Sequence, residues 1–299
     1  MILGGDPNET VNISLTQIGG SSSDLIGASV TITDDDTGDT LFSATWNGST
    51  ITTEIEVNTN YTVSVETIVG YSHPSPQSYH AYFQNKRNIS FQYASQGAYV
   101  EAIDGSLYTA STWQSSGKEV NSIVLITSQI SVRIYPTILD YTIIKPMGKA
   151  NSSTDPNPAT YVTTVTTANE AKVDYDGYTN TQKWLKYNAA TGTYTNDYAA
   201  PYATSTIFPN GVTRGYIPAA GQIYIIRKNY SIVNPCFLAI GISEPANVHY
   251  QSSTYGGINA QNYYCVWTPY SQDVEQMLQF PLSYTDNWNA RKVMICANY

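Results

Sequence analysis

The chain has 299 residues, of which 41% are hydrophobic and 12% charged, with a formal net charge of −9. A chain of this length holds two or three domains with their own cores. The low charge and the 26 tyrosines exclude a long disordered chain. Thr, Ser, Tyr and Val dominate many segments, and this composition favours strands.

The charge is unevenly placed along the chain. Residues 1–95 contain ten acids and only two bases, Lys86 and Arg87, whereas residues 96–299 contain thirteen acids and twelve bases. An acidic segment repels nucleic acids and anionic membranes, so we expect neither as a partner. No apolar run reaches the ~18 residues needed to cross a bilayer, and the first residues lack a basic, apolar leader. The sequence therefore predicts no membrane insertion and no secretory signal.

Residues 10–93 alternate like strands, for example at Val11, Ile13 and Leu15. Seven or so short strands, 8–14 residues apart, predict a small Ig-like β-sandwich over residues 1–95. The cluster D-D-D-T-G-D at 34–39 has the wrong spacing for an EF-hand and predicts a solvated hairpin turn rather than a calcium site.

Two stretches of this first module carry a resemblance: I-G-A-S-V-T-I-T-D at 26–34 and Y-T-V-S-V-E-T-I-V-G-Y at 61–71. They resemble bacterial surface β-domains of the PEGA and carboxypeptidase-regulatory type. The resemblance implies a structural spacer or interaction module, serving as stalk or anchor.

The rest of the chain reads as mixed α and β. Residues 96–136 predict a short β connecting unit that we expect to be part of the C-terminal domain, and residues 137–299 predict the main body of that domain. The best helix candidate lies within 166–190, with Asn180 or Thr181 as its cap. A second helix is predicted to begin near Pro218 and to bury an isoleucine set, namely Ile223, Ile225 and Ile226. The fold class is therefore mostly β or α+β.

Four ordered motifs mark this second part: D-Y-D-G-Y-T-N-T at 174–181, F-P-N-G-V-T-R-G-Y-I-P-A-A-G-Q at 208–222, Y-Q-S-S-T at 250–254 and A-R-K-V-M-I-C at 290–296. They resemble a C-type-lectin-like family of gut Bacteroidales and their phages, related to the variable proteins of diversity-generating retroelements. Gln222 stands where that family has Glu, Gln251 where it has Trp, and Met294-Ile295-Cys296 where it has V-R-P. The resemblance implies a lectin-like recognition domain.

Catalytic and metal-binding patterns are weak. The three histidines are scattered, and no nucleotide-binding, hydrolase or zinc-protease motif is present. The three cysteines have no zinc spacing and are expected to be buried thiols. Asp174 and Asp176 are interpreted as turn and capping residues rather than cation ligands. We predict no enzyme, no cofactor and no metal site.

The candidate site is the aromatic and amide-rich stretch near the end of the chain, because Tyr, Asn and Ser combine large contact area with adaptable hydrogen bonds. Trp267 and Trp288 are expected in the core. The predicted ligand-binding residues, with Tyr255 and its polar neighbours exposed, are Tyr250, Tyr255, Asn259, Gln261, Asn262, Tyr263 and Tyr264.

Together these features predict a non-enzymatic recognition protein. The first reading is a structural protein of a Bacteroidales phage virion (head fibre, capsid decoration or tail-associated), docked on other virion proteins through residues 1–95 and binding a host-surface glycan or protein. The alternatives are a bacterial surface lipoprotein or fimbrial adhesin, and a carbohydrate-active hydrolase. Weak single contacts gain strength by multivalency, so we expect a homo-oligomer, with a trimer favoured.

Overall fold

The computed structural model describes residues 8–83, 85–137, 139–140, 147, 160–162, 164–192, 198–211, 215–243, 249–256, 262–267, 277–281 and 291–299. The chain divides into two compact units, Met1–Gly97 (unit 1) and Ala98–Tyr299 (unit 2). The mostly β, α+β class expected from composition and periodicity is confirmed. No helix among the described residues is long and apolar enough to span a membrane.

Unit 1 is a sandwich of two sheets. The three-stranded sheet has the order β4 (Ile51–Glu56), β1 (Asn8–Ile18), β7 (Lys86–Ala94). The four-stranded sheet has the order β3 (Thr40–Thr45), β2 (Ser29–Asp34), β5 (Asn60–Val65), β6 (Gln77–His80). A short 3-10 helix, Ser22–Leu25, follows β1.

Alternation along the strands builds the core of unit 1. In β1 the buried residues are every second one from Glu9, and Val11 and Ile13 have no exposed surface. The same period in β2 and β5 turns Val30, Ile32 and Val63 toward them. The period-2 pattern of the sequence thus identified the inward faces of the sandwich.

Unit 2 contains two further sheets. One has the order β18 (Cys296–Asn298), β11 (Ser131–Ile134), β10 (Val120–Ile126), β8 (Gly97–Ala102), β9 (Leu107–Tyr108). The other has the order β12 (Leu139–Asp140), β17 (Arg291–Val293), β14 (His249–Gly256), β15 (Asn262–Trp267), β16 (Met277–Pro281), with β13 (Thr164–Val165) parallel to β14.

In the part of unit 2 that the structure describes, six helices accompany these sheets: α1 (Ala110–Trp113), α2 (Ala168–Lys172), α3 (Gly177–Ala190), α4 (Ala199–Ser205), α5 (Ala220–Lys228) and α6 (Tyr230–Ala239). Trp184 of α3 belongs to one core cluster and the isoleucines of α5 to another. The helix predicted after Pro218 is confirmed, since α5 begins two residues later and buries all three isoleucines.

The predicted cap of α3 is wrong. The helix begins at Gly177, and the side chain of Asp176 caps it by accepting a hydrogen bond from the Thr179 amide at 3.0 Å. Asn180 and Thr181 are the fourth and fifth residues of the helix, after the capping position. Asp176 is a better cap than Asn180 or Thr181, because its carboxylate accepts from the free amides of the first turn and its charge stabilises the positive end of the helix dipole.

Candidate functional site

The motif D-Y-D-G-Y-T-N-T forms a hydrogen-bonded corner at the start of α3. Asp174 accepts bonds from the Asn180 amide at 2.8 Å and the Thr254 hydroxyl at 2.6 Å through Oδ2, and from the Asp176 amide at 3.2 Å through Oδ1. The carboxylate therefore connects α3 to β14, which lies 80 residues further along the chain. The turn-and-capping interpretation of Asp174 and Asp176 is confirmed.

Gln222 forms a second junction, between α3 and α5. Its Oε1 accepts from the backbone amides of Gly177 at 3.2 Å and Ala219 at 2.9 Å, and its Nε2 donates to the Tyr216 hydroxyl at 3.0 Å. Gly177 is needed here, because a Cβ would lie 2.4 Å from Gln222 Oε1 and 2.7 Å from the Ala219 amide nitrogen. An amide serves this junction fully, which accounts for Gln at this position.

The strand β14 completes the junction. The Ser253 amide donates to the Pro218 carbonyl at 2.9 Å, and the Ser253 carbonyl accepts from the indole of Trp184 at 2.9 Å. The Thr254 hydroxyl accepts from the Ala220 amide at 2.8 Å. We call this set of contacts, made by 174–181, 216–222 and 253–254, the motif network. It joins α3, α5 and β14, so the most distinctive motif residues hold the fold together.

The structure places the predicted binding residues Tyr250 and Tyr255 in the core of unit 2. Both are fully buried. Tyr255 packs edge-on against Trp184, with ring centroids 5.8 Å apart, and burial raises its pKa to about 12. The Arg227 guanidinium lies 5.6 Å from the Tyr250 ring centroid. The expected exposure of Tyr255 is therefore wrong, because Tyr255 lies near the end of a central strand, β14, that α3 covers on one face.

The other predicted binding residues divide into two groups. Asn262, Tyr263 and Tyr264 belong to β15, where Tyr263 pairs with Tyr255 of β14, and their side chains lie outside the described residues. Asn259 and Gln261 lie outside the described residues altogether. Trp267 ends β15, but its side chain lies outside the described residues. Trp288 lies outside them entirely. Binding by this group stays a prediction.

Three polar side chains on one stretch of β14 are buried without a hydrogen-bond partner among the described residues. They are both amide atoms of Gln251, the hydroxyl of Ser253 and the hydroxyl of Tyr255. Such groups are rare in native cores, and each costs about 1–3 kcal/mol when left unpaired.

Two buried carboxylates were missed by sequence reasoning. Glu9 in β1 has no exposed surface and pairs with Arg87 at 2.6 Å. Glu101 in β8 is equally buried and pairs with Arg133 at 2.8 Å, while Asn121 and Ser122 each donate to it at 2.6 Å. Glu9 occupies an inward position of the alternating strand β1, whereas Glu101 lies in β8, whose last four residues are all buried. A buried charge is not tolerated without a partner, and in both cases the partner lies far along the chain.

Two of the described histidines and two cysteines have contacts or burial that fit structural roles. Among the described residues, no cluster of three or more His, Cys, Asp or Glu side chains is placed to hold a metal ion. His80 shares a hydrogen bond of 2.8 Å with Asn60, and His73 one of 3.2 Å with Thr67. Cys236 and Cys296 are buried free thiols, and burial raises the pKa of Cys236 to about 11. A thiol with a raised pKa is a poor nucleophile at neutral pH.

Comparison with known proteins gives structural matches only. No family model and no curated protein sequence matches. A fimbrial protein from Bacteroides ovatus matches over 98% of this chain and 71% of its own, at 10% identity and a TM-score of 0.43. The shaft pilin SpaA from Lactobacillus rhamnosus GG matches over 34% of this chain and 57% of its own, at 12% identity and a TM-score of 0.25.

A third match is the full-length major pilin RrgB from Streptococcus pneumoniae, over 73% of this chain and 38% of its own, at 10% identity and a TM-score of 0.23. The chain spans only 24% of the Bacillus anthracis TIE protein, which matches at a TM-score of 0.26. At these identities and scores the matches do not establish a function for this chain.

Proposed function

We propose that this chain is a non-enzymatic structural or adhesive protein of a bacterial cell surface, of the fimbrial kind. Unit 1 serves as a rigid spacer and unit 2 as the larger body that carries recognition. The fimbrial and pilin matches motivate the class of protein. The observation that carries the proposal is internal to the chain: the residues with the strongest sequence signal bond to one another inside unit 2.

The motif network engages, in structural hydrogen bonds, the carboxylate and amide side chains that a catalytic site would need. Asp174 accepts three hydrogen bonds, Asp176 caps a helix, and Gln222 makes three bonds of its own. Glu9 and Glu101 are each held by an arginine and further donors. A general acid or base must instead reach a substrate with a free lone pair or proton. The described carboxylates that are fixed in this way fit a scaffold.

The C-type-lectin-like reading of residues 137–299 and the PEGA-like reading of residues 1–95 form part of this proposal. A lectin-like scaffold presents recognition side chains on loops above a fixed core. The motif network supports that division, since it fixes α3, α5 and β14 and leaves other side chains for contact. Asn259, Gln261, Asn262, Tyr263 and Tyr264 are the residues we assign to contact with a glycan or protein.

Immunogold electron microscopy of the native producer tests the location. Antibodies raised against the purified chain should label intact cells or filaments on their surface, and protease added to intact cells should remove the label. Label confined to released virus particles would favour a virion protein and contradict the proposal. A screen of the purified chain on glycan substrates addresses the enzyme alternative, because turnover above that of the heat-denatured chain would show catalysis.

A further inference from the structure

The loop between β6 and β7 in unit 1 displays two adjacent aromatic side chains to solvent. Tyr82 is 59% exposed and Phe83 is 58% exposed. Single apolar residues on a surface are ordinary. Two large neighbours of this kind are a cost in solubility that the fold does not need, since the buried core of unit 1 excludes both.

A buried carboxylate fixes this loop. Glu9 Oε2 accepts from the Tyr82 amide and from the Asn85 side chain, both at 2.9 Å, while Oε1 accepts from the Tyr61 hydroxyl at 2.9 Å and Arg87 at 2.6 Å. These bonds outweigh the desolvation of the buried group and lower the pKa of Glu9 to about 2. The carboxylate is therefore ionised at neutral pH and holds the loop at its Tyr82 amide.

Backbone bonds hold the same loop on both sides of the aromatic pair. The Ala81 amide donates to the Thr59 carbonyl at 2.9 Å, and the Ala81 carbonyl accepts from the Asn58 amide at 3.0 Å. The Asn85 amide donates to the Tyr82 carbonyl at 3.2 Å. A loop ordered in advance loses little conformational freedom when a partner binds, so its contacts contribute more to affinity.

An acidic turn adjoins the aromatic pair. Asp36 accepts from the Asn60 side chain at 3.2 Å, Asn60 shares a bond of 2.8 Å with His80, and the His80 ring lies 5.0 Å from the Tyr82 ring. The chain of contacts joins the turn at 34–39 to the loop as one surface. Asp35 and Asp39 are exposed on it.

We propose that this surface, made by Tyr82, Phe83, Asp35, Asp36 and Asp39 and called here the loop-end surface, docks a protein segment that carries Lys or Arg beside apolar side chains. Charge complementarity identifies the partner, because residues 1–95 contain ten acids against two bases. Arg87 is already paired with Glu9, and Lys86, exposed at the start of β7, is the one base left against the three aspartates of this surface. Aromatic faces next to carboxylates attract a cation through both the ring and the charge. The inference goes beyond the proposed function and is independent of whether the chain belongs to a cell surface or a virion.

Selection from a displayed library of random dodecapeptides on the full-length chain tests the proposal. We expect enriched peptides rich in Lys or Arg together with apolar residues. Binding of a selected peptide should weaken at least ~10-fold in Tyr82→Ser/Phe83→Ser, as for central aromatic contacts. It should weaken roughly 2- to 5-fold in Asp35→Asn/Asp39→Asn, with a smaller salt dependence, as for charges at a rim.

Val69→Ser is the matched control. Val69 is 98% exposed, and the neighbouring Gly70 bonds to Gln96 near the far end of β1, away from Glu9. The affinity of the Val69→Ser variant for the selected peptide should equal that of the native chain. Hydrogen exchange of β1 and β7 should show that all variants fold.

Three outcomes would overturn the proposal: no peptide that depends on Tyr82 and Phe83, enrichment of uncharged or acidic peptides, or Tyr82-dependent binding to a glycan array. Sedimentation adds a fourth, since an oligomer that the Tyr82→Ser/Phe83→Ser variant abolishes would make a second copy of this chain the occupant.

Discussion

Replacing Glu9 by Gln tests whether a single buried carboxylate organises unit 1. Gln keeps the shape of the side chain but removes its charge. Each carboxylate oxygen now accepts two hydrogen bonds, Oε2 from Tyr82 and Asn85 and Oε1 from Tyr61 and Arg87. The NH2 group of Gln replaces one of these oxygens and cannot accept from its two donors. Arg87 is left without its counter-ion. Breaking one side of a buried pair costs about 3–5 kcal/mol, so we expect unit 1 to lose about that much unfolding free energy.

The pH dependence gives an independent magnitude. The pKa of Glu9 falls from 4.5 to about 2 in the fold, which at ~1.4 kcal/mol per pKa unit amounts to about 3 kcal/mol. Because the folded pKa is the lower one, this stability is fully present above about pH 4.5 and is lost as the pH falls toward about 2. Glu9→Gln should remove that part of the acid dependence.

Hydrogen exchange with mass spectrometry measures both effects in the full chain, because peptides from β1 and β7 report on unit 1 separately from unit 2. Glu56→Gln is the matched control, since Glu56 is exposed in the neighbouring strand β4, and it should change unfolding free energy by less than ~0.5 kcal/mol. A loss below ~1 kcal/mol in Glu9→Gln, or an unchanged acid profile, would refute the reasoning.

Three further variants test unit 2 by chemical denaturation. Gly177→Ala should destabilise it by about 2 kcal/mol or more, because the new Cβ would lie 2.4 Å from Gln222 Oε1; native-like stability would show that this junction yields easily. Tyr255→Ala should cost about 3 kcal/mol or more through the lost packing on Trp184, and a stable variant would return Tyr255 to the surface. Gln251→Met should raise stability by about 1 kcal/mol by removing an unpaired buried amide, whereas a loss would mean that the amide is bonded in solution.

Local pattern was enough to predict most of unit 1. The alternation at Val11, Ile13 and Leu15 identified the inward face of β1, and the buried isoleucines of α5 were equally readable. These features depend on neighbours two to four positions apart, and their periods differ between strand and helix. Pattern alone did not place Glu9, because its partner Arg87 lies 78 residues away.

The candidate site shows why the remainder was not predictable. A tyrosine between Thr254 and Gly256 reads as a loop residue, but β14 is paired with β15, β17 and β13 and carries α3 on one face. Burial of Tyr255 is decided by those long-range contacts, and no local signal reports them. Composition identified tyrosine as a residue type suited to recognition. The fold alone decides which tyrosines are exposed to solvent.

The described motif residues hold the fold of unit 2 together. Asp174, Gly177, Gln222, Ser253 and Thr254 each bond to, or lie against, another part of the fold. All five lie against other parts of unit 2, so they do not serve as exposed recognition side chains. Specificity must then come from exposed residues outside the motifs. Tyr82 and Phe83 of unit 1 have that character: they are large and exposed, and the Tyr82 amide donates to the buried carboxylate of Glu9.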